Sequence, residues 1–152
     1  MLDFKTDNLL INNEVNKNLK SILKSKLFSN GYIFYGPEGI GKQQTAIEFI
    51  KEIFNQYSSN ANIEEKIIDN NHPDFLLIEP TFLLKGNLIN RSEAEPSKNS
   101  KAIIRIEQIR NIKTFLGQKS IESDKKIVLI VDAHLLNEAA SNCLLKTLEE
   151  PT

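Results

Sequence analysis

The chain has 152 residues, 19 Lys plus Arg against 20 Asp plus Glu, 40% hydrophobic residues and a single cysteine. That length suits one domain with a real core, and the near-zero net charge gives no global electrostatic basis for binding nucleic acid or a membrane. One cysteine excludes an internal disulfide framework, and no signal peptide or spanning apolar run is visible near Met1, so the cytoplasm is the default location.

From Glu14 to Leu27 the apolar positions Val15, Leu19, Ile22, Leu23 and Leu27 follow helical spacing, with Asn12 or Asn13 as N-cap and Ser29-Asn30-Gly31 as the stop. Tyr32-Ile33-Phe34-Tyr35 then predicts a first strand. It opens into Gly36-Pro37-Glu38-Gly39-Ile40-Gly41-Lys42-Gln43, followed by a helix to about Tyr57 with Ala46, Phe49, Ile50, Ile53 and Phe54 on one face. A strand aimed at a helix N-terminus lets successive backbone N–H groups converge on an anion, and the helix macrodipole adds favourable partial charge. Gly36, Gly39 and Gly41 permit close backbone approach, and Lys42 can reach the outer phosphates of a nucleoside triphosphate. The next position normally carries the Ser or Thr hydroxyl that binds magnesium. Here it is Gln43, whose amide cannot copy a compact hydroxyl, so nucleotide binding and hydrolysis become separate questions. The competing reading is an ordinary glycine-rich turn.

Ser58 to Asn62 breaks that helix, and a short polar stretch with Ile67 and Ile68 leads to His72-Pro73-Asp74. Pro73 biases His72 to extended backbone ahead of a second strand, Phe75-Leu76-Leu77-Ile78. Residues 81–101 include Ser92-Glu93-Ala94-Glu95-Pro96-Ser97-Lys98-Asn99-Ser100 and read as an exposed, mobile insertion. Ile106, Ile109, Ile112 and Phe115 suit one face of a short helix ending at Gly117. Ile127-Val128-Leu129-Ile130-Val131 reads as a parallel strand covered on both faces. Asn137 to Glu150 predicts a last helix, with Leu136, Ala140, Cys143, Leu144, Thr147 and Leu148 inward and Pro151 as the stop. Strands alternating with helices make the fold class α/β, a parallel sheet flanked by helices.

Asp132, at the end of the third strand, has the form of the second nucleotide motif, in which a carboxylate orients magnesium; its alternative role is to cap the following helix. Its neighbour is Ala133, where hydrolytic members of the class carry an acidic residue that positions water. His72, His134 and Cys143 fall short of the four ligands a structural zinc needs, and Cys143 reads as a core thiol. Glu149, Glu150 and Lys146 read as surface groups.

Several of these pieces together resemble one family, the delta-prime subunits of the bacterial DNA polymerase III clamp loader, which are AAA+ relatives. The resemblance is carried by Gly31 to Lys42, His72-Pro73-Asp74-Phe75, Ile106-Glu107-Gln108-Ile109-Arg110, Val131-Asp132-Ala133, and Ala140-Ser141-Asn142-Cys143-Leu144-Leu145-Lys146-Thr147-Leu148-Glu149-Glu150-Pro151. It implies a P-loop NTPase fold of AAA+ type, apparently truncated: a single incomplete domain over 1–152, with sheet order 5-1-4-3-2, of which this chain offers candidates for strands 1, 2 and 3. It also implies a role in DNA replication, within the complex that opens the sliding clamp and loads it on primed DNA, with the other clamp-loader subunits as partners. The nucleotide-binding residues would be Gly36, Pro37, Glu38, Gly39, Ile40, Gly41, Lys42 and Gln43, holding ATP or ADP with magnesium, and Asp132 would be a vestigial magnesium-orienting residue. Weak or no ATP turnover is expected, and no catalytic residue of the chain's own. The family's arginine in a Ser-Arg-Cys motif would lie beyond Thr152. The region from Asn55 to Asn71 has no cysteine, so the zinc module common among clamp-loader relatives is not expected. The alternative is an active P-loop ATPase in which Gln43 or Thr45 serves at the metal; a small-molecule kinase is weaker, since no second substrate signature is visible.

Overall fold

The computed structural model describes residues 13–57, 62–93 and 101–149. The chain forms two compact units, one of residues 1–72 with 122–125 and one of 73–121 with 126–152.

In the first unit, α1 spans Asn13–Ser25, α2 Lys42–Tyr57 and α3 Ile63–Ile68. Helix α2 packs against both α1 and α3. Its buried face, Ala46, Phe49, Ile50, Ile53 and Phe54, matches the helical spacing read from sequence, and Leu19 and Leu23 of α1 and Ile63 and Ile67 of α3 are buried with it. Full burial of a side chain such as Phe54 is worth about 1.5–3 kcal/mol. Helix α3 was legible only as a polar stretch. It forms because Ile63 and Ile67, one turn apart, share a buried face while Glu64, Glu65 and Lys66 stay outward. Lys66 reaches Glu122 at 2.7 Å.

Tyr32 to Tyr35, expected as the first strand, form no ladder. Main-chain groups make a strand only beside a neighbouring strand, and the parallel pair among the described residues lies elsewhere, in the second unit. The segment is instead held by its rings: Tyr32 and Phe34 set theirs 5.5 and 6.4 Å from the ring of Phe49. The alternate residues, Ile33 and Tyr35, are each 89% exposed.

In the second unit, β1 (Phe75–Ile78) pairs in parallel with β4 (Ile127–Ile130), with Phe75 opposite Ile127. Helix α4 (Ile106–Leu116) lies on β1 and against α5 (Glu138–Glu149). Their shared core is Ile78, Ile104, Ile109, Ile112 and Ala140, flanked by Leu76, Val128, Ile130, Cys143 and Leu144. The fold class is thus mixed α/β, with a small parallel sheet flanked by helices. Strand β4, expected to be covered on both faces, is half-buried at all four positions, because it has one strand neighbour and the α4/α5 core takes only the Val128 and Ile130 face. The cluster stops along α5 at Leu144, so Leu148, expected inward, is 47% exposed.

The start of the expected exposed insertion at 81–101 is structured. Strands β2 (Thr81–Leu84) and β3 (Asn87–Asn90) form an antiparallel hairpin, and Thr81 and Phe82 are buried. Lys85 and Gly86 both take positive φ, 50° and 85°, which suits the right-handed twist of a two-residue turn. Residues 94–100 of that insertion lie outside the described residues.

Candidate functional site

The glycine-rich turn of the first unit runs directly into α2, whose first residue is Lys42. Gly36, Gly39 and Gly41 all have positive φ, at 149°, 79° and 80°. At Gly36 an added Cβ would stand 2.6 Å from Ile40 Cδ1, the far end of an exposed side chain that can give way, so the need for glycine there is chiefly one of backbone. At Gly39 a Cβ would meet nothing within 4 Å, so the turn leaves an open face there. Lys42 Nζ donates to the carbonyls of Gly36 at 3.0 Å and Pro37 at 2.7 Å, which folds the ammonium back over the turn. An ammonium held beside a glycine turn at the N-terminus of a sixteen-residue helix suits an anion. Gly36 to Lys42 are thus assembled in one place, with Gln43 exposed on the first turn of α2.

Of the side chains read as metal candidates, Thr45 and Asp132 are each engaged by a protein partner within their own unit. Thr45, the hydroxyl that could replace a serine at position 43, is buried and donates its Oγ1 proton to the Gly41 carbonyl at 2.9 Å. Such a bond to the preceding turn satisfies the hydroxyl and turns it away from a ligand. Asp132 follows β4 in a left-handed conformation, φ 51° and ψ 50°, ahead of a 3₁₀ turn at Ala133–Leu135. It makes no side-chain cap. Its carboxylate instead accepts from Arg91 Nη2. The N-cap of α5 is Asn137, whose Oδ1 accepts from the Ala140 N–H at 2.8 Å.

The remaining polar motifs hold the fold. His72 is buried, with its ring stacked 4.3 Å from that of Phe54. Asp74, fully buried, accepts from the Ile121 N–H at 2.8 Å. Gln108 accepts from the Arg105 N–H at 3.0 Å and donates to the Glu79 carbonyl at 2.7 Å, tying the start of α4 to the end of β1. Arg105 Nη1 donates to the Thr81 carbonyl and hydroxyl, both at 2.7 Å. Cys143 is half-buried beside the core.

Sequence reasoning missed Arg91 and Lys51. The Lys51 ammonium, on a residue only 6% exposed, reaches Glu48 at 3.0 Å and Glu64 at 3.4 Å. The signal for Arg91 was present in the two apolar runs around Lys85-Gly86, which mark a hairpin.

With these motifs placed, comparison with known proteins decides the family. The model for "DNA polymerase III, delta subunit" matches residues 11–152. The chain belongs to that family. It is 30% identical over 130 residues to the DNA polymerase III subunit delta' of Pseudomonas aeruginosa, covering 82% of this chain and 34% of the relative. It is 30% identical over 136 residues to the subunit delta' of Bacillus subtilis, covering 86% and 35%. With subunit tau of Bacillus subtilis it shares 29% over 137 residues, 90% of this chain and 22% of tau. The chain thus spans about a third of the length of these delta' relatives. No described helix is long and apolar enough to cross a membrane.

Proposed function

We propose that this DNA polymerase III delta-family chain acts in DNA replication as a delta-prime-like component of the clamp loader. Its Gly36 to Gln43 turn would be an AAA+-type P-loop that binds ATP or ADP without significant turnover. The family match along residues 11–152 carries the replication role. The positive-φ glycines ahead of Lys42 at the start of α2 support the nucleotide part. Lys42 would hold phosphate by charge, and the turn would cradle it through N–H groups. When bound, the nucleotide would supply a phosphoanhydride; the chain's own residues would bind and orient it, with Ala133 offering no base beside Asp132. Weak hydrolysis is favoured over the active ATPase because Gln43 carries no hydroxyl and that of Thr45 is committed to Gly41. The partners would be the other clamp-loader subunits and, through the assembled complex, the sliding clamp and primed DNA, in the cytoplasm.

Calorimetric titration of ADP and ATP tests the nucleotide part on this chain and on Lys42→Ala, after circular dichroism shows both folded. Saturable binding lost in Lys42→Ala supports it, and a folded wild type with no binding overturns it. Co-elution with purified tau, undiminished in Lys42→Ala, supports the assembly role; no co-elution at any ratio argues against it.

A further inference from the structure

Two carboxylates stand at the carboxyl ends of the parallel pair, Glu79 just past β1 and Asp132 just past β4. In open α/β sheets this is the end where ligands gather. Both are engaged by consecutive side chains at the exit of the β2–β3 hairpin. Ser92 Oγ donates to Glu79 Oε2 at 2.7 Å, and Arg91 Nη2 donates to Asp132 Oδ2. The hairpin that delivers them is anchored. The Arg91 N–H donates to the Pro80 carbonyl at 2.9 Å, Asn90 pairs with Thr81 in the ladder, and Thr81 bridges to Ile103. Asp132 is anchored too: Val131 N–H donates to the Ile78 carbonyl at 2.9 Å, and the Asp132 carbonyl accepts from Leu135 at 2.8 Å.

We propose that Arg91 is the resident counter-ion of Asp132 and withholds that carboxylate from divalent cations. It rests on the second unit alone and stands whether or not the Gly36 to Gln43 turn binds nucleotide. The physical case is one of occupancy. A guanidinium keeps its charge across the working pH range, and its planar donors match a carboxylate. Magnesium sheds water reluctantly and binds proteins through one or two carboxylates plus phosphate oxygens. A cation already seated on Asp132 leaves that carboxylate's charge neutralised. The side chains are 44% and 31% exposed, so the pair adds little to folding stability. Its consequence falls on what else Asp132 can bind.

Mn2+ serves as the probe, its binding to the full chain followed by electron paramagnetic resonance. Wild type and Asp132→Asn are expected to bind Mn2+ equally weakly. Arg91→Gln is expected to bind it several-fold more tightly, the scale of an exposed ion pair, Arg91→Lys to resemble wild type because a cation remains, and Arg91→Gln with Asp132→Asn to lose the gain. Wild-type Mn2+ binding that falls tenfold in Asp132→Asn would overturn the proposal, as would a folded Arg91→Gln with no gain.

Discussion

The buried carboxylate of Asp74 accepts a hydrogen bond from the main-chain N–H of Ile121, 47 positions later in the chain, at 2.8 Å. Asp74 also offers its carbonyl to the Ile127 N–H at 2.9 Å, so one residue at the head of β1 holds both the approach to β4 and its first position. The His-Pro-Asp motif is therefore structural at its aspartate. Asp74→Ala removes this acceptor from a fully buried position and is expected to cost about 1–3 kcal/mol. Asp74→Asn keeps an acceptor oxygen and should cost less. Urea unfolding of the three proteins checks the order; equal stability of wild type and Asp74→Ala would remove this role.

Ile109 is fully buried on α4 in the core shared with Ile78, Ile104 and Ala140. Ile109→Ala should cost about 2–5 kcal/mol and Ile109→Val about 0.5–1.5 kcal/mol, since deleted methyl groups leave a cavity that close-packed neighbours refill only partly. The shift in denaturation midpoint at unchanged slope reads the difference.

Gly36→Ala combines a φ of +149° with a Cβ 2.6 Å from Ile40 Cδ1. We expect a loss of about 1 kcal/mol or more and weaker ADP binding. Adding Ile40→Ala should recover part of the stability, because it clears the contact and leaves the backbone strain. Full recovery in the double variant would show that space alone demands glycine there.

Glu52 has its carboxyl raised above the usual range, chiefly by burial and then by the neighbouring charges of Glu48 and Glu64. Its ionised form is thus disfavoured in the folded state. The contribution to stability is complete below the ordinary value of 4.5 and is lost as pH rises through the higher folded value. Glu52→Gln should be more stable than wild type at pH 7 by a few tenths of a kcal/mol, the scale of a like-charge pair one helical turn apart. That advantage should vanish below pH 4.5. Thermal melts from pH 4 to pH 8 follow it, and an advantage independent of pH would point to a cause other than charge.

Sequence by itself determined what depends on local spacing. The buried stripe of α2, the extents of β1 and α4, and the glycine spacing ahead of Lys42 were all legible, because helical and strand periods and the demand for positive φ are written in neighbouring residues. Only the tertiary structure decided what depends on residues distant in the chain. Tyr32 to Tyr35 have the composition of a strand yet pair with none among the described residues, because pairing needs a neighbour that composition does not name. Helix α3 is too short for a period to show, and Ile63 and Ile67 reveal it only when buried. Asp132 read as a metal residue or a cap, and the fold gave its carboxylate to Arg91, 41 positions earlier. A carboxylate is short and its ionic partner is chosen by proximity in space, so the hairpin that carries Arg91 settled the matter.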